Sequence, residues 1–385
     1  MLADYSLKMP QAVYSGEHAL EQIKTVLGGG VKKAAVFTDQ GVIGAGLLEA
    51  PLAFIKETGA EAVILADLPT EPTCDQAQAV VDEFKRSGAD FIIAVGGGSV
   101  MDIAKLASIL ATDEYGVRDL LANPLLGKKY VRSLMIPTTA GTGAEATPNS
   151  IVAVPEKELK VGIVNPAMIA DAVILDAGMT RKLPRKIAAA TGVDALAHAI
   201  ECFTSKKANP FSDTFALEAL DLIINNIEAA CDDPAALEAK NKMLIAAFYA
   251  GIAITASGTT AVHALSYPLG GKYHIPHGVA NAMMLVPVME FNEPMCQERL
   301  ARVYDRVVKD GDASLGEKEK SQWMIRRLGE IVEHLEIPNS LKEYGVSRED
   351  LEILVTAGME VQRLLMNNMR EVTAMDARAL YLQIM

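Results

Sequence analysis

The sequence predicts an α/β domain with a mostly parallel sheet over residues 1–184, followed by an all-helical domain over residues 185–385. Three observations carry this expectation. At 385 residues the chain exceeds the roughly 250 to 300 at which single hydrophobic cores stop growing. Before Pro184, short apolar runs alternate with helical periods, the pattern of parallel strands covered on both faces. After Pro184 the strand signals stop and helical periods run on to the end.

In chain order, the strand runs centre on Ala34, Val63, Ile92, Leu134 and Val173. Ala34–Thr38 ends at Asp39. Phe91–Val95 is apolar throughout, meets the turn Gly96-Gly97-Gly98-Ser99, and passes into an amphipathic helix from Val100 to Leu110. Ser133–Ile136 opens into a loop of small and hydroxyl residues that reaches Thr147. Beyond Pro184, helices are expected over 186–205, 211–231, 236–257, 276–290 and 294–309, with a solvated loop at Asp310–Lys320. Met243–Val262 carries no charge over 20 residues, long enough to span a bilayer. It is rich in Ala, Gly, Ser and Thr, which suit close packing, so a buried helix is expected there.

Composition narrows the function. Half the residues are hydrophobic and 22% are charged, which is enough core for a folded protein. A net charge of −13 opposes binding to nucleic acid or to an anionic membrane. Cys74, Cys202, Cys231 and Cys296 are scattered with no C-x-x-C pair, so reduced thiols in a cytoplasm are expected.

The residues that point to chemistry lie in the second half. Asp194 and His198 are four apart in a helical stretch and share a face, while His263 and His277 come from other elements. One carboxylate and three imidazoles at these spacings can close around one divalent metal, and a nitrogen-rich set suits iron(II), zinc or manganese better than magnesium or calcium. His277 follows Pro276 at what reads as a helix opening with proline first, where the helix dipole favours neutral imidazole. The alternative is structural: an acidic residue in a first helical turn and hydrogen-bonded core histidines.

In the first half, the Gly96–Ser99 turn can cradle a phosphate. Glycines let the backbone approach an anion, and the free N–H groups of the next helix face it. Neither the G-x-G-x-x-G nor the P-loop spacing is met, and a plain tight turn capped by Ser99 is the other reading. Asp39, at a strand end, can grip a ribose hydroxyl and repel a 2′-phosphate, or simply cap a helix.

Four segments, in order, carry a resemblance over nearly the whole chain. They are Gly96-Gly-Gly-Ser-Val-Met-Asp-Ile-Ala-Lys105, Pro137-Thr-Thr-Ala-Gly-Thr-Gly-Ala-Glu145, Thr191-Gly-Val-Asp-Ala-Leu-Ala-His198 and Pro276-His-Gly-Val-Ala-Asn281. With them the chain resembles the iron-containing (group III) alcohol dehydrogenase family. The resemblance implies a dehydroquinate synthase-like fold with an N-terminal dinucleotide-binding domain, and Asp194, His198, His263 and His277 as ligands of Fe2+, with Zn2+ or another divalent metal as the alternative. It places Gly97, Gly98, Ser99 and Asp102 at the pyrophosphate of NAD. Thr138, Thr139, Thr142, Asn149 and Lys160 would line the rest of the dinucleotide site, and Asp39 would set the preference for NAD over NADP. Homodimers or larger homo-oligomers are expected from the same resemblance.

Three positions depart from the family's pattern. Many members carry a second histidine four residues after the one matching His263; here Tyr267 stands there, and Tyr267 or His274 is the candidate proton relay. Glu71 replaces a common asparagine, and Met369 follows Asn368 where proline is common.

The expected activity is interconversion of a short primary alcohol or diol and its aldehyde by hydride transfer to NAD, with a metal lowering the alcohol's pKa. Two rivals are a metal- and NAD-dependent lyase of the dehydroquinate synthase type and a non-catalytic nucleotide- or metal-binding relative. The lyase would need several basic residues, and the region between His263 and His277 offers Lys272 and little else.

Overall fold

Six parallel strands organise residues Lys8–Leu183. In the computed structural model, which describes the chain apart from Met1–Ala3, Gly29, Thr70, Glu71, Glu158 and Ala313, they are β1 (Ala12–Ser15), β2 (Lys33–Phe37), β3 (Glu61–Leu65), β4 (Phe91–Gly96), β5 (Arg132–Pro137) and β8 (Ala172–Leu175). Their order is β1-β8-β5-β4-β2-β3. Successive side chains on a strand face opposite ways, so one set, including Val36, Ile93, Val95, Leu134 and Ile136, packs into a single cluster with Ile23, Leu27 and Ile55. The intervening set, including Phe37, Ile92, Ala94 and Met135, is buried as deeply on the other face. Each such Ile, Leu or Val contributes about 1.5–3 kcal/mol by leaving water, which is why these strands read as continuous apolar runs.

The strand order reverses at one place. From β2 the chain moves outward to β3 and then returns to place β4 on the other side of β2. In open parallel sheets, ligands bind outside the carboxyl ends of the strands at such a reversal. Asp39 follows β2, the glycine turn follows β4, and Thr138 follows β5, so parallel register alone gathers these three sequence-distant segments along one sheet edge.

A two-stranded antiparallel pair, β6 (Asn149–Val154) with β7 (Leu159–Val164), is an addition that the strand runs did not suggest. The four-residue edge strand β1 was not expected either. Both are only half buried, so their apolar signal is weak.

Among the described residues after Pro184 there is no strand. Expected limits shift in several places, and the loop expected at Asp310–Lys320 is already helical from Glu317, where the helix Glu317–His334 begins. The expected 276–290 and 294–309 helices are one helix, His277–Val307, which continues through Pro287 and Pro294. A proline removes one backbone N–H, and packing along the Glu317–His334 helix outweighs that loss. The expected 211–231 helix instead breaks after Ile224, at Asn225-Asn226. The uncharged stretch Met243–Val262 is also interrupted: Leu237–Ala256 ends, and Ala261–Tyr273 begins after a 105° turn. Its residues Leu244, Ala246, Ala250 and Ile252 are fully buried, and among the described residues no single helix is long and apolar enough to cross a membrane.

Candidate active site

Asp194, His198 and Glu201 stand at i, i+4 and i+7 on the helix Arg185–Phe203, and all three are buried. His263 comes from the first turn of Ala261–Tyr273, and His277 is the first residue of His277–Val307, with Pro276 at the N-cap rather than inside the helix. The helices approach closely because Gly278 has no side chain: a Cβ there would lie 2.1 Å from the carbonyl oxygen of Ala190.

The ligand atoms converge. His263 Nε2 and His277 Nε2 each lie 3.5 Å from Asp194 Oδ1, and His198 Nε2 lies 3.8 Å from it. Ligand atoms of Asp194, His263 and His277 all fall within 4.8 Å of one another. The ring of His198 stacks on that of His263 at 4.4 Å. The side-chain amide of Asn281, one turn after His277, donates to Asp194 Oδ1 at 2.7 Å and faces His263 Nε2 and His277 Nε2 at 3.1 and 3.2 Å. One amide nitrogen within hydrogen-bond distance of all three atoms shows that they converge on a common point.

Electrostatics make that point a cation site. Asp194 and Glu201 are buried carboxylates that meet imidazoles and no lysine or arginine among the described residues. Burial alone would push both carboxyls up. At Asp194 the imidazoles of His198, His277 and His263 override burial, and at Glu201 His263 and the Thr260 hydroxyl do so, so both are held below the ordinary carboxylate range. Burial disfavours a charged His263, yet Glu201 and Asp194 push it up to about 9. Two buried negative charges thus demand compensation, which a proton on His263 supplies in part and a divalent cation supplies fully. The donor set therefore fits a divalent metal.

Glu201 also does a backbone task. Its Oε1 accepts from Thr260 N at 3.0 Å, Thr260 Oγ1 at 2.7 Å and Val262 N at 2.8 Å, so it caps the helix that starts at Ala261. Its Oε2 meets His263 Nδ1. One carboxylate thereby starts the helix that carries His263 and fixes that ring's tautomer, leaving Nε2 as the ligand atom. Neither Glu201 nor Asn281 was singled out from sequence, although the i, i+4, i+7 spacing after Asp194 marks Glu201 and the Pro276–Asn281 motif contains Asn281.

The two relay candidates are placed differently. Tyr267 is half buried, one turn after His263, with its ring 6.4 Å from that of His263 and 6.0 Å from that of His277. Burial raises its phenol pKa, against the opposing charge of the Arg363 guanidinium. His274 is exposed at the C-cap of the same helix, in the left-handed region with φ 54°.

In the Lys8–Leu183 unit, Gly97 is the N-cap of the helix Gly98–Ile109. A Cβ on Gly98 would lie 2.8 Å from Thr142 Cγ2, and one on Gly97 would lie 3.5 Å from Thr139 Oγ1, so the loop after β5 lies flat against the glycine turn. Thr138 is tied there by its N–H to Gly96 O at 3.0 Å. Ser99 is half buried in the first turn of the helix. Asp102 is committed to the frame: it pairs with buried Lys105 at 2.8 Å and accepts from Ile151 N at 2.9 Å. Lys105 Nζ also donates to Ala144 O and Thr147 Oγ1, which ties helix to loop. Asn149 opens β6 opposite Val164, and Lys160, half buried, pairs with Ala153 across the same ladder. Asp39 Oδ1 caps the helix Gln40–Gly44 through Val42 N at 2.9 Å. A cavity of about 530 Å³ opens at the next residue, lined by Gln40, Asp67, Leu68, Gln76 and Arg86. Glu71 lies outside the described residues.

Comparison with known proteins bears on both units. Residues 10–177 match the iron-containing alcohol dehydrogenase family, and residues 188–385 match the C-terminal part of the Fe-containing alcohol dehydrogenase family. Long-chain-alcohol dehydrogenase 1 of Geobacillus thermodenitrificans is 34% identical over 378 residues, covering 97% of this chain and 94% of that protein. Choline dehydrogenase of Bacillus subtilis is 34% identical over 92% of this chain and 89% of its own length. Among solved structures, a 1,3-propanediol oxidoreductase superposes with a TM-score of 0.93 at 28% identity, with both chains covered completely.

Proposed function

Because the chain belongs to the iron-containing alcohol dehydrogenase family, we propose that it interconverts a short primary alcohol or diol and its aldehyde by hydride transfer to and from NAD, with iron(II) held by Asp194, His198, His263 and His277. The observation that carries this reading is the convergence of His263, His277 and His198 on Asp194 Oδ1, with Glu201 behind His263, two buried carboxylates that lack any lysine or arginine partner among the described residues. The family is one of dehydrogenases, so the lyase reading is set aside. The two relatives and the solved structure take a long-chain alcohol, choline and a diol by their names, so membership alone does not choose the substrate.

When bound, the metal supplies positive charge that lowers the alcohol's pKa, and the nicotinamide accepts the hydride. The chain does the rest. Asp194 and the three histidines hold the cation, and Glu201 keeps the proton of His263 on Nδ1, so that Nε2 presents its lone pair. Tyr267 is our candidate for the group that holds and passes the hydroxyl proton at Oη, since its ring lies against those of His263 and His277, whereas His274 is exposed. On the dinucleotide side, we assign the pyrophosphate to Gly97, Gly98, Ser99 and Asp102, with Lys105 holding Asp102 in place. Thr138, Thr139, Thr142, Asn149 and Lys160 line the remainder, and Asp39 meets the adenosine ribose and disfavours a 2′-phosphate. We also take the enzyme to be a cytoplasmic homodimer. Its four cysteines are free and buried, in keeping with reduced thiols.

The test is NADH formation, followed by its near-ultraviolet absorbance, on iron(II)-loaded protein with NAD and a panel of short alcohols and diols. An Asp194→Ala, His198→Ala double variant serves as control. Activity in the parent and none in the control is expected. Metal and NAD bound with no turnover of any alcohol or aldehyde would overturn the reading.

A further inference from the structure

Asn281 and Ser266 join the two helices that carry His277 and His263, one turn beyond those histidines. Asn281 stands four residues after His277 on His277–Val307, and Ser266 stands three after His263 on Ala261–Tyr273, so each shares the face of its histidine. Both side chains are fully buried. Ser266 Oγ lies 2.5 Å from Asn281 Oδ1. An amide oxygen carries no hydrogen, so the hydroxyl gives its own, and the amide nitrogen is left facing the other way. That nitrogen meets Asp194 Oδ1 at 2.7 Å, His263 Nε2 at 3.1 Å and His277 Nε2 at 3.2 Å. Turned over, the amide would set its oxygen against the Asp194 carboxylate. The hydroxyl at one end and the carboxylate at the other therefore select the same orientation.

A metal site made of buried ligands has a cost before any metal arrives. Ligand atoms of Asp194, His263 and His277 lie within 4.8 Å of one another, and all three are electron-rich. With nothing positive among them they repel, and burial of Asp194 and His263 withholds the water that would screen them. The Asn281 amide supplies what is missing. Its NH2 group has two hydrogens, one for Asp194 Oδ1 and one facing the two imidazole nitrogens, so a single neutral side chain serves all three atoms. Being neutral, it adds no positive charge to oppose an incoming cation, as a lysine or arginine in its place would.

We propose that Asn281 is a positioning residue for the cation site: its amide, locked by Ser266, holds Asp194 Oδ1 and the Nε2 atoms of His263 and His277 together, so that a divalent metal enters a site already formed. The assignment rests on the metal-bearing part of the dehydrogenase reading above, and it adds two residues that act on the ligands without being ligands themselves.

The experiment uses cobalt(II) as the probe, because its visible absorption reports the number and arrangement of its ligands. Parent, Asn281→Leu, Ser266→Ala and the double variant are stripped of metal and titrated with cobalt(II) against a competing chelator, and the spectra of the loaded proteins are compared. Leucine fills nearly the same space as asparagine and has no donor. Asn281→Leu should bind cobalt(II) about 10- to 100-fold more weakly, with its visible bands shifted, as suits the loss of a group that orients ligands. Ser266→Ala should bind about 3- to 10-fold more weakly, as suits one neutral hydrogen bond. Because the hydroxyl acts through the amide, the double variant should bind no more weakly than Asn281→Leu alone. Parent-like affinity and spectrum in Asn281→Leu, or losses that simply add in the double variant, would overturn the proposal. If Asn281→Leu does not fold, Ser266→Ala decides: a parent-like affinity there overturns the proposal, and a 3- to 10-fold loss supports it. None of these readouts uses turnover, so a loaded parent that converts no alcohol or aldehyde would overturn the dehydrogenase reading and leave this one standing. A parent that binds no cobalt(II) would overturn both.

Discussion

Glu201→Gln separates the two tasks of one carboxylate. In the native protein Oε1 takes three backbone N–H groups, those of Thr260, Val262 and His263, and the Thr260 hydroxyl, and Oε2 takes His263 Nδ1. A carboxamide has only one accepting oxygen. If that oxygen stays on the helix N-terminus, the NH2 group faces His263 Nδ1, which must then accept, and the imidazole proton moves to Nε2, the ligand atom. If the amide turns over, four buried donors lose their acceptor, at about 1–3 kcal/mol each. The first arrangement costs less, so the variant should fold and bind metal about 10- to 100-fold more weakly. Glu201→Ala leaves every donor unmet and should lose about 3–5 kcal/mol of stability. Metal affinity is measured by titration against a competing chelator, and stability by thermal unfolding of the metal-free proteins. A Gln variant that binds metal as tightly as the parent would refute this account of His263. So would an Ala variant that unfolds with the parent.

Three other outcomes are expected. Gly278→Ala should weaken metal binding and cost about 1–3 kcal/mol or more, because the new methyl collides with backbone at Ala190 rather than with a movable side chain; chelator titration and melting check both. In metal-free protein the His263 pKa lies well above its ordinary 6.5, at about 9. Its stabilising contribution is therefore complete below about pH 6.5 and fades as pH rises through about 9. Metal must displace that proton, so affinity should rise with pH across this window with one proton released at His263, and calorimetry in two buffers of unlike ionisation heat would detect it; an equal heat in both would sink the idea. Asp39→Ser keeps a hydroxyl to cap Val42 N and removes the charge. Its KM for NADP should fall with little change in melting temperature, and an unchanged NAD to NADP ratio would remove Asp39 from cofactor selection.

Much of this protein was legible in its sequence because the relevant physics is local. Helical period places Asp194 and His198 on one face, an apolar run before three glycines makes β4 and its turn, and the loss of strand signals after Pro184 marks the helical half. The exceptions are equally physical. Pro294 reads as a stop, yet tertiary packing carries the helix through it. The break at Ser257–Thr260 has no strong local cause besides Gly258, at φ +86°, and is settled by Glu201, which caps the next helix from more than fifty residues away. The same holds for Asn281 reaching Asp194. By itself the sequence determined which residue types were available and which elements would carry them. Only the tertiary structure decided that two carboxylates with no lysine or arginine partner among the described residues would share one buried pocket of imidazoles, because the cost of burying charge depends on neighbours that the chain brings together only when it folds.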